Sequence, residues 1–158
     1  MLRSGVMRNW TFLALGLLIS TGCAPKIGDS CGNSGDCSAT GDRQCDVAQP
    51  GGYCTVQGCD PDTCPGSTLC VEWRFNPGRT AETWCMKPCS GGECRREYQC
   101  VRPSDIRLDG TLAPSGSLSP DEQGARIIDL EESAAQSTAC IAVVTDPPPS
   151  PDGPDAGM

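Results

Sequence analysis

The sequence contains no histidine and few aromatic side chains. Its 158 residues include three tryptophans, two tyrosines and two phenylalanines. Without imidazole, the Ser-His and Cys-His pairs of many hydrolases and all His-ligated metal sites are excluded. With so few large apolar side chains, the chain has little hydrophobic area from which to build a conventional core, so it needs another source of stability.

Basic residues are also scarce. The chain has 12 Lys and Arg against 20 Asp and Glu, a formal net charge of −8. Nucleic-acid binding requires clustered cations that displace counterions, and the pair Arg95-Arg96 comes nearest to such a cluster. We therefore expect no nucleic-acid partner. An acidic surface of this kind is not attracted to anionic lipids either, so any membrane attachment needs a different origin.

No hydrophobic run is long enough to cross a bilayer. The most apolar run, 10–19, is about half as long as the roughly 20 residues that a spanning helix needs. Arg3 and Arg8 precede this run, and the small residues Ser20-Thr21-Gly22 follow it, which is the order found in cleaved export signals. Residues 1–22 are therefore predicted to be a signal peptide that the mature protein lacks.

Cysteine, in contrast, is abundant. Of the 13 cysteines, Cys23 lies directly after the signal, and the other twelve follow in three groups of four. An even set of cysteines in an exported chain predicts disulfides, because exported compartments are oxidising. The disulfides would supply the stability that the small core does not.

The segment Ser20-Thr21-Gly22-Cys23 resembles the lipobox of bacterial lipoproteins, with Ser20 where Leu is usual. In that family the signal is cleaved before the cysteine, whose sulfur and amine are then acylated with chains such as palmitate. The resemblance implies lipidation of Cys23, and several acyl chains at about 0.8 kcal/mol per buried methylene make a durable anchor. Ala24 stands where Asp retains lipoproteins in the inner membrane, which implies the outer membrane. The alternatives are an ordinary cleaved signal and an uncleaved anchor.

The twelve remaining cysteines divide into three tandem units, 31–54, 59–85 and 89–144. In each unit the first two spacers between cysteines are short, while the third grows along the chain. The third unit contains a long insertion, 103–139, which we expect to be mobile or to contact a partner. Its deletion should leave the first two units folded. Short linkers between the units predict that they sit close together.

Gly, Pro, Asp, Asn and Ser punctuate the chain, and continuous helical periodicity is absent from residues 24–100. We predict a small disulfide-rich fold, dominated by loops, with short β-hairpins and little helix. Residues 23–30 are expected to be the lipidated N-terminus and tether. The tail 145–158, rich in Pro, Asp and Gly, is predicted to be disordered.

The best hairpin signal covers 71–84. Val71, Trp73 and Phe75 alternate onto one face, and the turn is predicted at 76–79. These aromatics are expected to cover the neighbouring disulfides, with a ligand-binding platform as the alternative. A further strand, 141–144, is expected to pair with 98–102.

Spacing alone leaves the disulfide pairing open, because four cysteines can pair in three ways within each unit. The predicted hairpin places Cys70 opposite Cys85 and favours a third-to-fourth bridge. The cysteine spacing is, however, similar to that of the amino-terminal cysteine-rich region of Dickkopf proteins. That resemblance implies first-to-third and second-to-fourth bridges in every unit. The implied bridges are Cys31–Cys45, Cys37–Cys54, Cys59–Cys70, Cys64–Cys85, Cys89–Cys100 and Cys94–Cys140.

Candidates for catalysis or metal binding are weak. Glu72 with Glu82, and Glu131-Glu132, are pairs of carboxylates without a recognisable cleft. Asp60-Pro61-Asp62 lacks the glycine and the terminal glutamate of a calcium loop. A four-cysteine zinc site would need thiolates, which an oxidising compartment disfavours. We expect no enzymatic activity, no cofactor and no metal.

Together these features predict a lipid-anchored, disulfide-stapled lipoprotein of the cell envelope. Its role is expected to be binding or structural, with an envelope or extracellular protein as partner. The alternative is a secreted or surface-tethered protease inhibitor, because small disulfide scaffolds often present a rigid loop to a protease. Such a loop would be the 72–83 hairpin or the 103–139 insertion.

Overall fold

The computed structural model describes residues 25–74, 81–131 and 134–144. The sequence predictions that lie outside these ranges include the signal peptide, the lipidation site Cys23, the turn at 76–79 and the tail 145–158. Within the described ranges the chain is mostly strand and loop with little helix, as predicted. Its elements are the helix α1 (Ser34–Cys37), two 3-10 turns (Pro103–Asp105 and Ala134–Gln136) and the strands β1 (Gln44–Asp46), β2 (Tyr53–Thr55), β3 (Leu69–Trp73), β4 (Glu82–Met86), β5 (Pro88–Cys89), β6 (Gln99–Val101), β7 (Ala125–Ile127) and β8 (Thr138–Ile141).

Six disulfides join the twelve cysteines of the described residues, two in each unit. First-to-third bridges have Cα–Cα distances of 5.8 to 6.0 Å, and second-to-fourth bridges 5.3 to 5.6 Å, so one arrangement recurs three times. The pairing is the one implied by the resemblance to Dickkopf proteins. The bridges are Cys31–Cys45, Cys37–Cys54, Cys59–Cys70, Cys64–Cys85, Cys89–Cys100 and Cys94–Cys140.

The third and fourth cysteines of each unit nevertheless face each other on neighbouring antiparallel strands. Cys45 lies opposite Cys54, Cys70 opposite Cys85, and Cys100 opposite Cys140. The register predicted for the second unit is therefore confirmed, including Val71 opposite Trp84. The inference from that register to a third-to-fourth bridge does not hold in the structure, because each facing cysteine is bridged to a cysteine earlier in the same unit.

The insertion of the third unit belongs to the sheet of the second. Strand β7 pairs antiparallel with β3, which gives a three-stranded sheet in the order β4-β3-β7. Ile128 N donates to Cys70 O at 3.0 Å and continues the connection beyond β7. The described part of 103–139 is thus not a free loop. Its deletion would strip β3 of a strand partner, so the expected independence of the first two units does not follow.

The end of the third unit forms a second three-stranded sheet. Strand β8 lies between β5 and β6, and it pairs antiparallel with both. A strand does pair with the predicted segment around Cys100, but its predicted bounds are wrong: β8 covers Thr138–Ile141 and shares only Ile141 with the predicted strand 141–144. The second linker contributes to this sheet as well, since Cys140 N donates to Lys87 O at 2.9 Å.

A single core joins all three units. Its buried members include Tyr53 from the first unit, Val71 from the second and Ile141 from the third. The linker between the first two units is bound to the edge of β4, because Gly58 N donates to Thr83 O at 2.7 Å and Thr55 Oγ1 to Cys85 O at 2.8 Å. The three units therefore pack as one body.

Disulfide mapping tests this arrangement. Trypsin cleaves after Arg96 and Arg107 but not before Pro103, which isolates Cys100 on peptide 97–107 and leaves Cys140 on a separate peptide. Without reduction, we expect peptide 97–107 to be linked to peptide 80–95, which contains Cys89, because the structure joins Cys89 to Cys100. Mass spectrometry of the unreduced digest reads this out. A species made only of peptide 97–107 and the Cys140 peptide would indicate third-to-fourth bridging instead.

Candidate functional surfaces

The N-terminal segment from Pro25 onwards, which follows the predicted lipidation site, is part of the fold. Ile27 is 4% exposed and belongs to the core. Gly28 N donates to Cys54 O and Cys54 N donates to Asp29 O, both at 2.9 Å, so the segment runs beside β2. The guanidinium of Arg43 donates to Pro25 O. Residues 23–30 were expected to form a tether, but from Pro25 onwards the chain is bound to the body.

A cluster of two tyrosines and an arginine joins the first and third units. Tyr53 and Tyr98 have ring centroids 5.3 Å apart, and the Arg95 guanidinium lies 4.6 Å from the Tyr98 centroid. Arg95 Nη2 donates to Gly52 O at 2.6 Å, and Tyr98 Oη donates to Pro50 O at 3.0 Å. Burial, mainly, raises the pKa of both tyrosines. The cluster holds the two units together, and its hydroxyl groups are engaged with the backbone.

Gly52, whose carbonyl oxygen accepts the hydrogen bond from Arg95, allows the backbone of Cys31 to approach closely. It has φ +66°, and a Cβ atom there would lie 1.9 Å from the backbone oxygen of Cys31. A side chain is therefore excluded by both conformation and space. Cys31 N in turn donates to Gly51 O, which fixes the first cysteine of the first unit against the turn that leads into β2.

The two glutamates considered as an acid–base pair lie on opposite faces of one sheet. Glu72 is opposite Thr83 in the register, and Glu82 is opposite Trp73, so the strand alternation points their side chains apart. Glu72 is also held by two arginines, with Arg74 Nε at 2.8 Å and Arg126 Nε at 3.1 Å. The arrangement stabilises the β7 connection and does not bring two carboxylates to one substrate. In the other pair, Glu131 is exposed and Glu132 lies outside the described residues.

The turn Asp60-Pro61-Asp62 is bound to the insertion. Asp129 accepts hydrogen bonds from Asp62 N at 2.9 Å and from Cys70 N at 3.0 Å, and Asp62 Oδ1 accepts one from Leu130 N at 3.2 Å. Asp62 has φ 61°, a left-handed conformation that these reciprocal bonds support. The two carboxylates line a shallow depression, where they satisfy backbone donors.

Sulfur atoms come close together in all three units. In each, three Sγ atoms lie within 4.8 Å of one another, a distance range that also suits metal ligands. All nine belong to disulfides, which offer no thiolate to a metal ion. The proximity follows from two bridges packed side by side. The groups are Cys31, Cys37 and Cys45; Cys59, Cys64 and Cys85; and Cys89, Cys94 and Cys100.

The aromatic face predicted as a disulfide cover is largely internal. Val71 is fully buried, and Trp73 and Trp84 are half-buried. The indole of Trp84 donates to Glu82 Oε2 at 3.3 Å. Phe75, the third residue of the predicted alternation, lies outside the described residues. The described strands thus favour the packing interpretation over a ligand-binding platform.

No protein-family model, curated protein or solved structure matches this chain. Within the described ranges, no helix has the length and apolar character that crossing a membrane requires. Sequence reasoning located the hairpin and the cysteine units, but it missed Ile27, the tyrosine–arginine cluster and the Asp62–Asp129 contact. The nearest signal for the cluster was the aromatic residue before the fourth cysteine, Tyr53.

The buried Tyr53 hydroxyl makes stability depend on high pH. Burial, chiefly, raises the pKa of Tyr53 to about 12, against an ordinary 10.0. Between these values the folded state holds a proton that the unfolded chain releases. The free energy of unfolding is therefore unaffected below the ordinary pKa, and it falls as pH rises towards the folded pKa, by about 2–3 kcal/mol in total.

Denaturant unfolding at a series of pH values measures this loss, and tyrosinate absorbance locates the ionisation. Tyr53→Phe should remove most of the slope, at the cost of the hydrogen bond that Tyr53 Oη accepts from Lys87 N at 2.9 Å. Tyr98→Phe is the matched control, and it should retain the Tyr53 contribution. An equal slope in Tyr53→Phe and in the unmodified protein would contradict the assignment.

Proposed function

We propose that this chain is a bacterial lipoprotein anchored to the outer membrane by acyl chains on Cys23, and that its folded body has a binding or structural role in the envelope without enzymatic activity. One observation carries the proposal. All twelve cysteines of the folded body are bridged to one another, so Cys23 is the one cysteine of the sequence outside these bridges. It lies within the lipobox-like Ser20-Thr21-Gly22-Cys23.

The redox state of the fold indicates where the protein resides. Six disulfides in a chain of this length are typical of exported proteins, because the cytosol keeps thiols reduced. Each bridge is worth about 2–4 kcal/mol, so the fold depends on an oxidising compartment. Export is also the condition under which a lipobox is used. The bridges and the lipobox-like segment therefore support the same route out of the cytoplasm.

The side-chain chemistry of the described body supports a role in binding or architecture. Glu72 is held between two arginines, the buried Asp105 carboxylate accepts a hydrogen bond from Gly116 N at 2.8 Å, and the hydroxyls of Tyr53 and Tyr98 bond to backbone atoms. Such groups fix the geometry of a surface and are not poised for proton transfer. A rigid, acidic surface is then the feature that the protein presents to other envelope components.

The protease inhibitor remains the alternative, and one observation favours it. Strands β3 and β4 are anchored at their base by the bridges Cys59–Cys70 and Cys64–Cys85, the kind of support that an inhibitory hairpin at 72–83 requires. The 103–139 insertion is the weaker candidate, because β7 is paired within the sheet. Slow, stoichiometric inhibition of an exported protease would favour this alternative. Its absence across a panel of such proteases would count against it.

Cys23→Ser tests the anchor. Because a lipoprotein signal is cleaved only before the cysteine, residues 1–22 are replaced in this variant by an ordinary cleaved signal. Without acylation, we then expect the protein to move from the membrane fraction to the soluble fraction while its six disulfides stay intact. Intact-mass measurement, before and after reduction and alkylation, checks both points. The unmodified protein should begin at an acylated Cys23 and show twelve thiols only after reduction, the number of cysteines in the described bridges.

Ser20→Leu is the matched control, since it changes the same short segment towards the usual lipobox. It should preserve acylation and membrane association. If the unmodified protein is recovered without acyl chains, the lipoprotein proposal is wrong. Thiols that react before reduction would instead contradict the fully bridged body.

A further inference from the structure

The position of the bound N-terminal segment determines how close the body lies to its anchor. Pro25 is held by the Arg43 guanidinium, and Lys26 N donates to Asp29 Oδ2 at 2.7 Å. Ile27, the residue after Lys26, is inserted in the core. The segment cannot swing away from the body without losing these contacts and the pairing with β2.

Only Cys23 and Ala24 separate the proposed acyl chains from this fixed point. A chain spans at most about 3.3–3.6 Å per residue, so the Cα atom of Cys23 lies within roughly 7 Å of the Cα atom of Pro25. That reach is similar to the depth of the polar headgroup layer in one leaflet, about 5–8 Å. If the acyl chains are in the hydrocarbon region, the surface around Pro25 is therefore at the level of the headgroups.

The charges around this point differ from those of the rest of the chain. After the signal the sequence has two lysines, Lys26 and Lys87, and both are here. Lys26 is exposed, and the Lys87 side chain passes Gly28, with its Cβ 2.8 Å from the position that a Cβ of Gly28 would take. Arg43 is the third cation. We call the surface of Pro25, Lys26, Arg43 and Lys87 the anchor face.

Three acidic residues, Asp29, Asp42 and Glu93, lie near the anchor face, and each carboxylate has a hydrogen-bond or ion-pair partner. Asp29 accepts the hydrogen bond from Lys26 N, and Asp42 lies 3.6 Å from Arg43 Nε. Glu93 provides its backbone oxygen to Lys87 Nζ at 3.3 Å, while its carboxylate accepts from Ser90. Cations and anions are thus in balance here, whereas the chain as a whole carries an acidic excess. An anionic membrane repels the rest of the body more than this face.

We propose that the anchor face rests directly on phospholipid headgroups, with the ammonium groups of Lys26 and Lys87 contacting lipid phosphate. This inference rests on the proposed lipidation of Cys23. It gives the body a fixed orientation, in which the N-terminal segment faces the bilayer. Flexible tethers permit a lipoprotein to sample many orientations, and this chain has no such tether between the anchor and its body.

The two lysines allow a direct test. The acylated protein is bound to vesicles of phosphatidylcholine and phosphatidylglycerol, which contain no amine, and is treated briefly with an amine-acetylating reagent. We expect acetylation of Lys26 and Lys87 to be several-fold slower than in soluble Cys23→Ser protein, as measured by mass spectrometry. Leu130→Lys, introduced into both proteins, provides the reference, because Leu130 is 77% exposed and lies on the insertion. Its acetylation rate should be the same on vesicles and in solution.

A spacer variant separates the role of the short connection from lipidation itself. Ten Gly and Ser residues inserted between Ala24 and Pro25 add a flexible chain with an r.m.s. length of about 16–19 Å. Membrane binding should persist, while the protection of Lys26 and Lys87 should be lost. Protection that survives the spacer would overturn the claim that the short connection holds this face on the membrane.

The outcomes distinguish this inference from the proposed function. A protein that binds vesicles but leaves Lys26 and Lys87 as reactive as in solution is a lipoprotein without the proposed orientation. Equal protection of the two lysines and of Lys at position 130 would likewise overturn the orientation. A protein that lacks acyl chains and does not bind vesicles would overturn the proposed function, and the inference with it.

Discussion

The fold depends on a pair of disulfides that is repeated in each unit. In every unit the third and fourth cysteines lie opposite each other on neighbouring strands, and the bridges from the first and second cysteines fasten the preceding segment of the chain onto them. The bridges close separations of 11 to 46 residues, each removing about 3–4 kcal/mol of unfolded-state entropy in the chain-entropy model. Buried sulfur atoms, such as those of Cys54, Cys70 and Cys85, also occupy positions that larger apolar side chains fill in conventional cores.

Each disulfide stays within one unit, so the bridges alone would permit three independent modules. In the structure, contacts between the units join them into one body. Strand β7 leaves the third unit to complete the sheet of the second, and Arg126 pairs with Glu72 across that connection. The tyrosine–arginine cluster connects the first unit to the third. These contacts link units that share no disulfide. Loss of one disulfide is therefore expected to destabilise the neighbouring units as well as its own. The body therefore holds its surfaces in fixed relative positions.

The hairpin of the second unit was predictable because its signals are local. Alternation, a turn sequence and two cysteines at matching distances from the turn all point to one register. Strand β7 offered no comparable signal, since Ala125–Ile127 is three residues long and its partner Val71 lies more than 50 residues earlier. The Asp62–Asp129 contact and the insertion of Ile27 in the core are equally non-local. The pairing of cysteines came from a resemblance, because spacing alone left three alternatives per unit. The lipidation site, by contrast, rests on sequence alone, because Cys23 lies outside the described residues.

The absence of histidine has a consequence for an exported protein, which meets changing external conditions. No side chain of the sequence has an ordinary pKa between about 5 and 8, because histidine, the residue that ordinarily titrates in that range, is absent. The twelve bridged cysteines do not titrate at all. Hydrogen bonds from Gly32 and Asn33 lower the pKa of Asp36, and those from Ser38 and Thr40 lower the pKa of Asp42, so both stay ionised further into acid. Burial, mainly, raises the pKa of both tyrosines, which stay neutral further into base. These titrations are displaced away from neutrality on both sides, and the bridges do not titrate. In the proposed orientation, the surface that would face the membrane carries no imidazole, whose protonation would change the surface charge across the neutral range.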